Sequence, residues 1–227
     1  MIFNQFFDEV SSTYTYLISS GKGREALIID PVLEKVNDYI LYLKKLNLKL
    51  VKVIDTHIHA DHISGLNELN KKTNCVTVMG DKSPSEIVTL RVKDNDKIKI
   101  ENIVLTSIYT PGHTNCSYSF LMNDRIFTGD TLLINSTGRT DFQSGDPVAQ
   151  YHSLFDRILN LPEETFVFPA HDYNGEKLCT IGRQKRNNPR LQVENIEEYV
   201  NIMKNLKLDR PKMMDIAIPA NIKGKSI

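Results

Sequence analysis

The sequence predicts a layered α/β fold with mixed sheets, and three observations predict it. Short β-rich runs alternate with stretches of helical periodicity along the chain. Hairpin signals occur early and again mid-chain, so much of the pairing is antiparallel rather than strictly parallel. Hydrophobic residues make up 41% of the 227 residues, and a chain of this length buries roughly 70% of its unfolded surface. No internal repeat, low-complexity tract or long linker interrupts the pattern, so the expected organisation is a single domain over 1–227.

Residues 14–18 (Tyr-Thr-Tyr-Leu-Ile) and 26–30 (Ala-Leu-Ile-Ile-Asp) read as strands around the turn chemistry of 21–24 (Gly-Lys-Gly-Arg). Val36, Ile40, Leu43 and Leu46 share the spacing of one helix face within 33–46. A buried strand at 50–54 is followed by a helix from 66 to 71 and a strand at 76–79. Paired strands are expected at 97–100 with 103–109, and at 118–122 with 125–127, the second pair around Asn123-Asp124. Helical pattern then covers 147–159, a last strand 166–168, and two helices 180–186 and 196–206 on either side of Asn187-Asn188-Pro189.

Charge is balanced, with 28 Lys+Arg against 28 Asp+Glu, which argues against a nucleic-acid partner. Cys75, Cys116 and Cys179 form no CxxC pair, and they read as structural thiols of a reducing compartment. No run approaches the ~20 apolar residues of a membrane span, and the N-terminus reads as no secretory or transit signal. The expected location is cytoplasmic, with no membrane partner.

The chemistry gathers at strand ends. Three of the six histidines lie in Thr56-His57-Ile58-His59-Ala60-Asp61-His62, after the strand at 50–54. On an extended segment His57 and His59 point the same way, and Asp61 and His62 are expected where the next helix starts. His113, Asp130 and His171 each follow another β run, beside Gly, Pro or Ala. Strand ends along one sheet edge bring such side chains into one cleft on a rigid scaffold. Imidazole and carboxylate suit Zn, Fe or Mn rather than a thiolate-selective metal. His152 has no such company and reads as an ordinary surface or core histidine.

Thr-His-x-His-x-Asp-His, the Pro-Gly-His of 111–113, the Gly-Asp of 129–130 and a late histidine form the pattern of the metallo-β-lactamase superfamily, which the chain resembles. The likeness is narrower in Ile29-Asp30-Pro31-Val32, Gly138-Arg139-Thr140-Asp141-Phe142-Gln143, Pro169-Ala170-His171-Asp172-Tyr173 and Asn188-Pro189-Arg190-Leu191. Over nearly the whole chain these segments resemble persulfide dioxygenases.

That resemblance implies an αββα sandwich, two mixed β-sheets flanked by helices, with a metal at one edge. It implies one Fe(II) per chain, held by His57, His113 and Asp130, and the oxidation of glutathione persulfide by O2 and water to glutathione and sulfite. His59, Asp61, His62 and His171 are then residues around the iron or ligands of a second metal, and spacing alone does not separate the two. Arg139, with Tyr173 beside it, is the expected contact for glutathione, against an ion pair of Arg139 with Asp141. Lys185, Arg186 and Arg190 read as a solvated helix end or a further anion contact. Some relatives carry a cysteine just before the Gly-Arg-Thr-Asp segment, where this chain has Ser136 and Thr137. The resemblance also allows a homodimer.

The competing function is a thioester hydrolase resembling glyoxalase II, with two Zn per chain bridged by Asp130. A non-catalytic metal-binding or sulfur-sensing module is a third reading, disfavoured because every expected ligand is present. A nuclease is disfavoured by the neutral charge.

Overall fold

Alternation of apolar side chains along the strands sorts them onto two faces, and that sorting builds the molecule. In the computed structural model, which describes residues 1–173 and 175–224, strands β1 (Ile2–Asp8), β2 (Thr13–Ser19), β3 (Glu25–Ile29), β4 (Lys49–Ile54), β5 (Val76–Gly80) and β6 (Leu90–Val92) form one sheet in that order. β7 (Lys97–Ile100), β8 (Ile103–Tyr109), β9 (Tyr118–Met122), β10 (Arg125–Gly129), β11 (Phe166–Pro169) and β12 (Cys179–Thr180) form the second. Both are mixed: β3, β4, β5 and β6 pair in parallel, as do β10 and β11, while the other neighbours are antiparallel.

Tyr16, Ile18, Leu27, Ile29 and Ile54 from the first sheet meet Leu105, Phe120, Phe127 and Phe168 from the second in one core. The ring of Tyr16 lies 5.0 Å from that of Phe127, across the gap between the sheets. The alternate residues Leu17, Ala26, Ile28 and Val53 face outward against Val36, Tyr39 and Leu43 of α1 (Val36–Lys45) and Leu66 and Leu69 of α2 (Leu66–Thr73). On the far side Ile126 and Val167 pack against Leu154, Ile158, Tyr199 and Met203. These come from the 147–160 segment and from α5 (Ile196–Lys204). Each such side chain, fully buried, contributes about 1.5–3 kcal/mol of transfer free energy. The order is helix, sheet, sheet, helix, the expected αββα sandwich.

Several expectations need correction. Asp61 and His62 lie in a loop, because α2 does not begin until Leu66. The 147–159 segment is not one helix: α3 (Pro147–His152), started by Asp146 accepting from the N–H groups of Val148 and Ala149, widens into a π turn over Ser153–Arg157 and tightens over Ile158–Asn160. The helix at 180–186 is α4 (Ile181–Asn187), with Thr180 as its cap. β1, β6, β12 and α6 (Met214–Lys223) were not expected at all. Among the described residues no helix is long and apolar enough to cross a membrane.

Topology explains where chemistry collects. Residues 29 of β3 and 54 of β4 are register partners, and so are Gly129 of β10 and Pro169 of β11. The parallel strands therefore end side by side, and the residues just beyond them (Asp30, His57, Asp130 and His171) gather on one edge of the sandwich. Tyr118 N–H donates to Thr56 O at 2.9 Å and Tyr14 N–H to Ala170 O at 2.7 Å, which ties the two sheets together there.

Candidate metal centre

The loop after β4 takes its shape from one buried carboxylate. Asp30, at φ +50° before Pro31, accepts the Thr56 N–H on Oδ1 at 2.7 Å and the Thr56 hydroxyl on Oδ2 at 3.0 Å. A carboxylate only accepts, so the Thr56 proton points at Asp30 and the hydroxyl oxygen is left to accept from His57 Nδ1, 2.9 Å away. His57 Nε2 then keeps its lone pair. Asp30 Oδ1 also meets His59 Nε2 at 3.2 Å, which turns Nδ1 of that ring away from the carboxylate. Gly129 closes the arrangement, because at φ +52° a side chain there would stand 2.6 Å from Thr56 Oγ1.

His113 is oriented from the other side. Its Nδ1–H donates to the Arg139 carbonyl at 2.7 Å, leaving Nε2 with its lone pair 3.5 Å from Asp130 Oδ2. Bonds of about 2.1 Å from each atom to a common ion would span that gap. The carbonyl belongs to a segment in which four successive main-chain oxygens each accept a different side chain. Asn188 takes Ser136 O at 2.9 Å, Arg190 takes Thr137 O at 2.5 Å and Gln150 takes Gly138 O at 3.0 Å, before His113 takes Arg139 O. Gln150 is itself held by the Tyr199 hydroxyl at 2.8 Å. Arg190 is therefore a structural donor, while Lys185 and Arg186 pair with Glu163.

One donor atom from each of His57, His113 and Asp130 lies within 4.8 Å of the other two. His59, Asp61 and His62 meet the same test next to them. His171 joins both groups, its Nε2 being 3.5 Å from Asp61 Oδ2 and 3.6 Å from Asp130 Oδ1, while its Nδ1 faces the Ser12 carbonyl at 3.1 Å. His59 Nδ1, His62 Nε2 and Asp130 Oδ1 are buried without a hydrogen-bond partner. Buried polar atoms are normally paired, so unpaired atoms on members of these two neighbouring groups fit a cation. All seven candidates stand together, and His152 stands apart, exposed and paired with Asp156.

Burial and the neighbouring histidines His59 and His113 push the His57 pKa well below the usual range, so its ring is neutral and ready to donate. Burial also opposes charge on His59, but without an ion Asp30 outweighs it and raises the pKa to about 10, so a cation at Nδ1 would have to displace a proton. Asp61 stays well below the carboxylate range despite burial, because His171 and His62 flank it. Behind the loop, burial raises Asp55 to about 7.

A cleft of about 660 Å³ opens on this cluster, with His113, Asp130, Arg139, His171, Tyr173, Leu208, Asp209 and residues 211–213 among its walls. Arg139 does make the ion pair that competed with a substrate role: Nε and Nη2 reach the Asp141 carboxylate at 2.7 and 2.8 Å. Nη1 and Nη2 also donate to the Asp209 and Leu208 carbonyls, and the guanidinium lies 4.5 Å above the Phe142 ring. Four of its five N–H groups are thus engaged. Tyr173 is 70% exposed and stacks parallel to His171 at 6.1 Å. Cys75, Cys116 and Cys179 are free, buried and outside the cluster.

Residues without an expected role prove central: Asp30, Thr56, Gln150 and Asn221. Asp30 carried a signal, an acidic residue closing an apolar strand before proline, and Thr56 stood at the head of the histidine motif.

The family model described as the metallo-beta-lactamase superfamily matches residues 8–90 and 83–171. The persulfide dioxygenase ETHE1, mitochondrial, of Homo sapiens is 40% identical over 226 residues, 98% of this chain and 88% of that protein. The crystal structure of ETHE1 from Myxococcus xanthus superposes with a TM-score of 0.95 at 44% identity, over 97% of this chain and 98% of that one. A hydroxyacylglutathione hydrolase of Dictyostelium discoideum is 30% identical over 175 residues, 73% of this chain and 64% of that protein.

Proposed function

The chain belongs to the persulfide dioxygenases of the metallo-beta-lactamase superfamily, and on that premise we propose that it oxidises glutathione persulfide at a single Fe(II) held by His57, His113 and Asp130. It is a sulfur dioxygenase whose substrate is a persulfide and whose metal-binding site is that of the superfamily. The finer reading rests on one observation: His57 and His113 are each held so that Nε2 is bare, and the two histidines and Asp130 each offer a donor atom within 4.8 Å of the other two. Two histidines and one carboxylate are the ligand set associated with non-haem iron oxygenases. When bound, such an ion would supply a centre at which a sulfur ligand and O2 can be activated together.

The outer persulfide sulfur loses four electrons and O2 accepts four. With water the products are the thiol and sulfite. Around that exchange the protein binds and orients. Thr56 and the Arg139 carbonyl fix the two imidazole tautomers, so neither ring turns while substrate enters. Arg139 brings positive charge and one uncommitted N–H to the cleft wall, suited to a glutathione carboxylate, and Tyr173 offers an exposed ring and hydroxyl at the mouth. The buried, unpaired cysteines suit a reducing compartment, and the cytoplasm is the location we assign.

A second reading has its own observation. His59 Nδ1 and His62 Nε2 are unpaired beside Asp61 and His171, a donor set that a second ion could use, as in a thioester hydrolase. Metal content and O2 uptake separate the two on one preparation. The proposed function requires close to one iron per chain and O2 consumption on addition of glutathione persulfide. Two zinc ions per chain with thioester hydrolysis and no O2 uptake would overturn it.

A further inference from the structure

The metal-binding loop is held at two points, and the second comes from the far end of the chain. Asp30 fixes its first residues. Asn221 on α6, 6% exposed, holds the rest. Its Nδ2 donates to His59 O and His62 O, both at 3.0 Å, and its Oδ1 accepts from Ser64 N–H at 2.8 Å. Both amide protons and the amide oxygen thus end on main-chain atoms of one loop. These anchors bracket Asp61 and fix the backbone from which His59, Asp61 and His62 project.

Asn221 belongs to the buried face of α6 with Met214, Ala217 and Ala220. An amide among such neighbours is costly unless all its bonds are made. Here they are made, and to the one loop that carries most of the metal-site residues. An apolar residue would pack there but leave two carbonyls and an N–H of the loop unpaired.

We propose that Asn221 is a positioning residue of the metal centre, through which docking of the last helix sets the geometry of the 59–64 half of the loop. The inference rests on the reading that this cluster holds a metal ion.

The test uses the full chain and Co²⁺ as probe, following affinity by chelator competition and ligand geometry by the visible absorption of the bound ion. Asn221→Ala and Asn221→Asp are compared with Ser85→Ala. Ser85 Oγ donates to the main-chain carbonyl of Asn221 at 2.9 Å, so that control loosens α6 without touching the loop. Loss of Asn221 should weaken Co²⁺ binding by about 10–100-fold, the usual effect of disturbing the residues packed around the ligands, and shift the absorption bands. Ser85→Ala should change neither. Equal losses in Ser85→Ala and Asn221→Ala, or wild-type affinity and spectrum in Asn221→Ala, would overturn the inference. Should Asn221→Ala fail to fold, Asn221→Asp, which keeps the acceptor for Ser64, decides by the same readouts. A wild-type chain that takes up no Co²⁺ would instead overturn the metal reading itself.

Discussion

Asp30 grips Thr56 with both carboxylate oxygens, one on the N–H at 2.7 Å and one on the hydroxyl at 3.0 Å. The direction of the proton in that second bond decides which nitrogen of His57 keeps its lone pair. Asp30→Asn should therefore impair the site while keeping the volume of the side chain. An amide presents two N–H donors where Thr56 also offers donors, so one buried group is left unpaired, at a cost of about 1–3 kcal/mol. Metal affinity should fall about 10–100-fold. Chelator competition and thermal unfolding of the metal-free protein measure the two effects separately, and unchanged metal affinity would show that Thr56 orients His57 without Asp30.

What the sequence disclosed follows from how far each signal reaches. The strands at 97–100, 103–109 and 118–122 are local facts of alternation, and they recur at those bounds. The seven site candidates were legible because they follow four β runs, four of them in the one loop after β4. Asp30 acts on a residue 26 positions away and Asn221 on residues 157 to 162 away, contacts that only the folded chain creates. Helix α6 has Pro219 inside it and a buried face of Met214, Ala217, Ala220 and Asn221, so no apolar stripe announces it. Strands β6 and β12, of 3 and 2 residues, are too short for any periodicity to show.

Asp130→Ala should abolish both metal retention and persulfide oxidation. Asp130 faces His113 at 3.5 Å and His171 at 3.6 Å, so its loss removes the negative charge at the centre of the cluster as well as a proposed ligand. Elemental analysis of the purified variant, alongside O2 uptake, checks this. Retention of one iron per chain would remove Asp130 from the ligand set.

Arg139→Ala should leave the metal in place and raise KM. The contact with His113 is made by the main-chain carbonyl, which the substitution keeps. What disappears is the positive charge on the cleft wall and the link from Asp141 to residues 208 and 209. A rise in KM of about tenfold corresponds to about 1.4 kcal/mol of lost binding. Arg139→Lys should not restore it, because an ammonium cannot form the paired bonds to Asp141. Loss of metal from Arg139→Ala would reassign the side chain to support of the metal centre.

Tyr199→Phe tests the network behind His113. The hydroxyl of this fully buried residue is a partner of Gln150, which in turn holds the Gly138 carbonyl. Its removal leaves the Gln150 carbonyl oxygen without that partner and should cost about 1–3 kcal/mol. In a chain of this size that lowers Tm by roughly 2–4 °C per kcal/mol. Because the amide still reaches Gly138, metal affinity should change far less than in Asp30→Asn.

Removal of the metal should lower stability as well as activity. In the folded chain His59 Nδ1, His62 Nε2 and Asp130 Oδ1 are buried without a hydrogen-bond partner, an arrangement the unfolded chain does not have. An ion that binds only the folded form stabilises it by about 2.7 kcal/mol at a free concentration 100 times its Kd. At roughly 2–4 °C per kcal/mol, chelation should bring Tm down by about 5–11 °C. Re-addition of Fe²⁺ under anaerobic conditions should restore it in a concentration-dependent way. Differential scanning fluorimetry across a metal titration measures this. A Tm indifferent to chelator and to added metal would mean that these atoms are satisfied without an ion, and the case for His57, His113 and Asp130 as ligands would fail with it.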